Sequence, residues 1–288
     1  MTAIDPSLRI RSVELAVSDL PRSVDFYERV LGLPLIAREE HRAELGSDPA
    51  RPALVLGDIA AATPLPPGAT GLYHVAWLHP SRSTLAETVL RVAGSHWQIE
   101  GASDHGVSEA LYLSDPDGLG IEIYADRPRE RWERPPGGHG VRMVTLPLDL
   151  DDLLAQSAAE PAPAMPAGTA VGHVHLKVAD VPRAAAFYRD RLGFEEQAQL
   201  PSAAFLAAGD YHHHVGLNSW QSEGATPAPD SAPGLRAIEF ELGGAGALGE
   251  LERGLAQAPG EPLAAGAREE RLTVTDPDGV PLTFSSSG

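Results

Sequence analysis

The chain carries 11 histidines, 40 acidic residues and no cysteine, so any metal chemistry in it must run on imidazole and carboxylate. Several of these groups sit in strand-like surroundings. His74 lies within Gly71-Leu-Tyr-His-Val-Ala76, His173 and His175 within Gly172-His-Val-His-Leu176, and Glu122 between Ile121 and Ile123. Alternation along a strand places His173, His175 and Lys177 on one face and Val174, Leu176 and Val178 on the other. By the same alternation His74 points to the polar side, with Tyr73 and Val75 on the reverse. A charged Glu122 flanked by isoleucines is costly to bury alone, and a cation would remove that cost.

Further candidates surround these. In the run His212-His213-His214 adjacent side chains alternate in direction, so only one face can reach a common site. An imidazole there suits proton exchange, because its ordinary pKa of about 6.5 lets it take a proton and return it. Tyr112 precedes Glu122 across the turn Asp115-Pro-Asp-Gly118, which puts it on the neighbouring antiparallel strand; His105 is expected on a loop. Trp97 and Trp220 are candidates for walling an aromatic pocket, although filling core is the commoner use of such side chains.

An internal duplication shows what must position these groups. Val17-Ser-Asp-Leu-Pro-Arg-Ser-Val-Asp-Phe-Tyr-Glu-Arg-Val-Leu-Gly-Leu33 returns 161 residues later as Val178-Ala-Asp-Val-Pro-Arg-Ala-Ala-Ala-Phe-Tyr-Arg-Asp-Arg-Leu-Gly-Phe194, and Asp115-Pro-Asp-Gly118 returns at the same offset as Asp276-Pro-Asp-Gly279. The chain is therefore read as two units, 1–132 and 170–288, joined by a Pro/Gly/Ala-rich linker over 133–169 with a short apolar segment, Met143 to Leu154, inside it. Each unit divides again. A strand over Arg9 to Val17, a helix over Leu20 to Leu31 and short strands to Asp58 form one cycle, and the pattern predicts four βαβββ modules at 1–60, 71–132, 170–220 and 235–288. The duplication also acts as a control: at that offset Ser12 stands opposite His173 and Thr283 opposite Glu122, and Ala237 falls opposite His74 when Gly71-Leu-Tyr-His74 is matched to Gly234-Leu-Arg-Ala237. Ligand-type residues occupy modules two and three only, so those modules are expected to share one complete site and to leave a second, degenerate one.

Composition limits the function classes. A formal charge of −18 repels nucleic acid and anionic lipid alike. No apolar run approaches the roughly 20 residues that span a bilayer, and the start shows no secretory pattern, so a cytoplasmic location is expected. Subunit count is left open, a homo-oligomer included.

The motif Val-x-Asp-Val/Leu-x-x-x-x-x-Phe-Tyr-x-x-x-Leu-Gly resembles the vicinal oxygen chelate superfamily, which includes glyoxalase, bleomycin resistance and extradiol dioxygenase proteins. Gly71-Leu-Tyr-His-Val-Ala76, Val107-Ser-Glu-Ala-Leu-Tyr-Leu-Ser-Asp-Pro-Asp-Gly118, Gly120-Ile-Glu-Ile-Tyr-Ala-Asp-Arg-Pro-Arg129, Gly172-His-Val-His-Leu176 and Gly209-Asp-Tyr-His-His-His-Val-Gly-Leu-Asn-Ser-Trp220 are similar to the two-domain bacterial catechol 2,3-dioxygenases. The resemblance implies an α+β fold in which the four modules form two curled-sheet cups, with modules two and three sharing the metal-bearing one. It implies Fe(II), with Mn(II) as the alternative ion, held by His74, Glu122 and His173 in the two-histidine, one-carboxylate arrangement that leaves open positions for substrate and O₂. It further implies His213 as the acid–base residue, Tyr112 and His105 as catalytic neighbours, His175 and Trp220 as substrate contacts, and a catechol as the partner molecule. Two other classes stand beside it. A glyoxalase-like isomerase or lyase would add a second carboxylate ligand, and a metal-free drug-sequestering module would need no ligand set.

Overall fold

The computed structural model describes residues 3–158, 162–244, 246–257, 266–268 and 271–287. Four strand–helix–strands cycles follow one another. The first contains β1 (Arg9–Val17), α1 (Leu20–Asp25), β2 (Leu35–Arg38), β3 (Arg42–Leu45) and β4 (Leu54–Asp58); the second contains β5 (Gly71–His79), α2 (Arg82–Gly94), β6 (Gly101–Asp104), β7 (Ser108–Ser114) and β8 (Gly120–Asp126). A short helix, α3 (Leu150–Leu154), precedes the third cycle of β9 (Ala170–Lys177), α4 (Val181–Ala186), β10 (Glu195–Leu200), β11 (Ala203–Ala207) and β12 (Val215–Asn218). The fourth has β13 (Gly234–Leu242), α5 (Ala247–Gln257), β14 (Gly266–Arg268), β15 (Arg271–Thr275) and β16 (Pro281–Ser286).

Pairing does not follow sequence order. One curled eight-stranded sheet runs β14-β15-β16-β13-β1-β4-β3-β2 and the other β10-β11-β12-β9-β5-β8-β7-β6. Module one thus joins module four, and module two joins module three, each through an antiparallel pair: β1 with β13, and β5 with β9. The sheets meet where β1 lies against β9 and β13 against β5. One apolar cluster runs through both, from Leu15 and Phe240 in the first to Trp77 and Val174 in the second. This is the α+β, two-cup arrangement that the family resemblance implies. No helix among the described residues is long and apolar enough to cross a membrane.

The recurring motif has a physical reason. Asp19 and Asp180 cap their helices by accepting the backbone N–H of Arg22 and Arg183, and a proline follows each in the first turn, where a missing N–H costs nothing. The predicted single helix from Leu20 to Leu31 is in fact an α-helical turn that widens into a π-helical one over Phe26–Val30, and the copy does the same over Phe187–Arg191. Both aromatic residues of each widened turn are buried. The Tyr27 hydroxyl then donates to Asp115 at 3.2 Å, and Tyr188 to Asp276 at 3.1 Å. Each aspartate also accepts two backbone N–H groups of its own turn, which closes on a glycine of positive φ, Gly118 or Gly279. The two motifs that share one sequence offset are therefore bonded to each other, module one to two and module three to four.

Candidate metal centre

The strands β5, β8 and β9 lie side by side, and each presents one ligand-type side chain to the same point. His74, Glu122 and His173 are all buried, and each offers a ligand atom within 4.8 Å of the others. His74 Nε2 stands 2.9 Å from Glu122 Oε2 and His173 Nε2 3.2 Å from the same oxygen. Two donors held about 2.0–2.2 Å from one ion at right angles would be about 3 Å apart, so these spacings suit a shared cation. Despite its proximity, His74 Nε2 has no hydrogen-bond partner of proper geometry, as expected if its lone pair and that of the carboxylate aim at a common third atom.

Electrostatics point the same way. Burial would raise the Glu122 carboxyl, but His173 and His74 outweigh it and hold the group well below the usual carboxylate range. Burial also drives His173 down to about 4 against the pull of Glu122. A cation bound among the three groups would complement the Glu122 charge and take bare imidazole nitrogens as ligands.

The trio lies in the wall of a cavity of about 450 Å³ that is also lined by Tyr112, His105, His175, His213, Phe205 and Trp220. Gly120 makes the ligand spacing attainable: a Cβ there would collide with the Tyr73 carbonyl and sit 3.2 Å from His74 Cβ. His175 lies beside His74, ring centroids 5.0 Å apart, with an Nε2 that has no partner. Of the three consecutive histidines only His213 reaches the cavity. His212 packs behind it, and His214 turns away to accept the Ala208 N–H. They precede β12 rather than forming a strand, so the predicted alternation does not govern them.

Tyr112 and His105 form a connected pair. The Val144 carbonyl, 2.7 Å away, can only accept, so His105 Nδ1 carries the proton and Nε2 is left to accept the Tyr112 hydroxyl at 2.6 Å. Burial first, and then the Glu122 charge, hold the Tyr112 phenol protonated.

Several sequence expectations change. Tyr73, expected on the reverse side of β5, lines the cavity beside His74, because a register shift between Leu72 and His74 breaks strict alternation. Trp220 does not fill core: it is 51% exposed at the cavity and packs edge-on against Tyr73. Trp97 does pack on core, against Phe26, with its indole N–H on the Ser114 carbonyl. Sequence reasoning also missed Met143, Val144 and Thr145, which lie in the segment between the two repeats and wall the cavity. Their only sequence signal was the apolar stretch within that segment. Lys177 shares a strand with His173 and His175 but lines a different cavity, near Arg236 and Asp278.

Fold and site together define a class. The family model of the glyoxalase/bleomycin resistance protein/dioxygenase superfamily matches residues 9–123 and 170–284, and the chain belongs to that superfamily. A Bacillus subtilis (strain 168) protein named catechol-2,3-dioxygenase is 43% identical over 238 residues, covering 82% of this chain and 83% of its own. A crystal structure of a Bacillus subtilis protein superposes with a TM-score of 0.65 at 13% identity, covering 99% of this chain and 86% of that one. Glyoxalase I from Zea mays superposes at 0.59 with 17% identity, covering 97% and 92%. The structural likenesses concern the fold alone.

Proposed function

We propose that the chain is an Fe(II)-dependent extradiol dioxygenase that opens catechol or substituted catechols with O₂ to a muconic semialdehyde-type product. The observation that carries this is the convergence of His74, Glu122 and His173 on one point in a cavity that also holds an acid–base candidate and aromatic walls. The 43% identical relative named for that reaction supports it. Glu122 is the one carboxylate among the described lining residues, which favours this reading over a glyoxalase-type isomerase with a second acidic ligand.

His74, Glu122 and His173 would hold the iron at the wall of the cavity, on the side where a catechol and O₂ would enter. Iron, when bound, supplies the electron relay between ring and oxygen. The protein supplies the rest. His213 has its Nδ1 engaged by His212, which leaves Nε2 for a catechol proton. Tyr112, whose hydrogen is committed to His105, offers lone pairs to the hydroxyl that keeps its proton. Phe205 and Trp220 offer aromatic walls to the ring, and Val107 and Leu200 add apolar lining.

Anaerobic reconstitution with Fe(II), followed by catechol and air, should give a yellow product with matching oxygen consumption. Reconstitution with Mn(II) in parallel identifies the working ion. Loss of no oxygen across several catechols with either ion would withdraw the proposal.

A further inference from the structure

Behind the cavity a line of polar groups runs outward from the ligand Glu122, and the groups beyond it are not ligands. Glu122, Tyr124 and Asp126 alternate along one face of β8. Opposite them stands the segment Tyr211-His212-His213. His213 Nδ1 lies 2.7 Å from His212 Nδ1, and His212 Nε2 lies 3.0 Å from Asp126 Oδ1. The Tyr211 hydroxyl donates to the same oxygen at 3.4 Å and lies 2.7 Å from the Tyr124 hydroxyl. Gly172 provides the room for that last contact, since a Cβ there would collide with the Tyr124 hydroxyl.

We propose that Asp126 is a positioning residue which, acting through His212, fixes His213 as the tautomer whose bare Nε2 faces the cavity. The inference rests on the reading of His213 as the proton acceptor and adds what sets its form. A bond between two Nδ1 atoms needs one donor and one acceptor. Asp126 as a carboxylate can only accept, so His212 Nε2 must carry a proton. With that proton as its only one, His212 has a bare Nδ1 to accept from His213 Nδ1–H, and the single proton of His213 is thereby placed away from the substrate. A second-neighbour carboxylate thus dictates which nitrogen is basic.

Two further observations support the assignment. Asp126 has no lysine or arginine partner among the described residues: the neighbouring Arg127 turns to Asp104 and Glu109, and the Asp126 side chain is 25% exposed while that of His212 is fully covered. His212 is also held in place by ring contacts to Tyr211 at 4.1 Å and Trp132 at 5.4 Å. The duplication supplies a control as well. At the positions 161 residues away from Tyr124, Asp126, His212 and His213 stand Ser285, Ser287, Arg51 and Pro52. The whole line is missing from the cup that lacks the ligand trio, so the two features occur together.

The test is ¹⁵N-imidazole NMR of the metal-free protein, which reads the tautomer without any turnover. Wild-type His213 should show a protonated Nδ1 and a bare Nε2; Asp126→Leu should shift the proton toward Nε2, and Asp126→Asn, whose amide oxygen still accepts, should keep the wild-type pattern. In the Fe(II)-loaded enzyme Asp126→Leu should retain its metal and KM while kcat falls about 10–100-fold, with most of it restored in Asp126→Asn. A proton on Nε2 of wild-type His213, or an unchanged pattern in Asp126→Leu, overturns the proposal. Absence of catechol turnover in the wild type would instead strike the functional reading and leave the tautomer result standing.

Discussion

The two cups are built from the same strands in the same order, yet they treat their polar residues in opposite ways. Across β5 and β9, His74 faces His175 and Ala76 faces His173; across β13 and β1, Ala237 faces Glu14 and Glu239 faces Ser12. In the first cup the charges are met locally. Glu239 is bonded to Arg271, lies 3.9 Å from Arg11 and accepts from Ser12 at 3.3 Å; Glu241 is paired with Arg51 and with Arg9 at 3.4 Å; Thr273 and Thr283 bond each other at 3.0 Å. In the second cup His74 Nε2, His173 Nδ1 and His175 Nε2 have no hydrogen-bond partner. A buried polar atom without a partner is costly, so the second cup holds imidazole nitrogens in readiness for something from outside; in the first cup Glu241 Oε2 also lacks a hydrogen bond, but the Arg9 guanidinium lies 3.4 Å from it. The scaffold is common to both; the capacity for chemistry lies in a few side chains.

That contrast can be broken most forcefully at Glu122. Replacing it with Ala should empty the metal site and lower turnover by more than about 100-fold, beyond what loss of a merely supporting residue costs, as read by metal analysis after reconstitution. A smaller effect is expected at His213→Ala, which should keep its metal but lose about 10²–10⁴ in kcat; loss of metal there would mean that the ligand set is misassigned. In the first cup Glu239→Gln should leave metal content and KM unchanged and cost about 1 kcal/mol, since its guanidinium partners are largely exposed. Altered metal binding in that variant would show the cups to be coupled.

The smallest effect concerns a feature that the repeats share. Burial raises both Asp115 and Asp276 to about 6, against the pull of their backbone N–H partners. The folded chain then holds protons that the unfolded chain releases at about pH 4, so each aspartate's contribution to stability diminishes as pH rises from about 4 to about 6. Asp115→Asn should reduce the Tm difference between about pH 4 and about pH 7 by roughly 2–4 °C, and Asp276→Asn should match it. Unequal responses would mean that the two turns are no longer equivalent.

The fold was legible because its landmarks touch: the Phe-Tyr motif and the Asp-Pro-Asp-Gly turn recur at one offset, and Tyr27 holds Asp115 just as Tyr188 holds Asp276. The candidate ligand trio was visible as polar residues in apolar strands that their repeat copies lack. What escaped was set by irregularity or by distance along the chain. A register shift brings Tyr73 around to the cavity, and Val144 reaches His105 from between the repeats. The bond from His212 to Asp126 joins two stretches that no periodicity relates.

The crossed pairing of modules bears on how the chain can assemble during synthesis. The strand β5 needs β9 as its neighbour, and every strand of that sheet has been made once Asn218 has left the ribosome. By contrast β1, although it emerges first, has to wait for β13, so its sheet stays open until the final quarter is made. Long-range pairing of this kind is slow and leaves strand edges exposed in the interim. The nascent chain therefore completes the strands bearing His74, Glu122 and His173 before it completes the other sheet, and β1 is the strand that waits longest for its antiparallel partner.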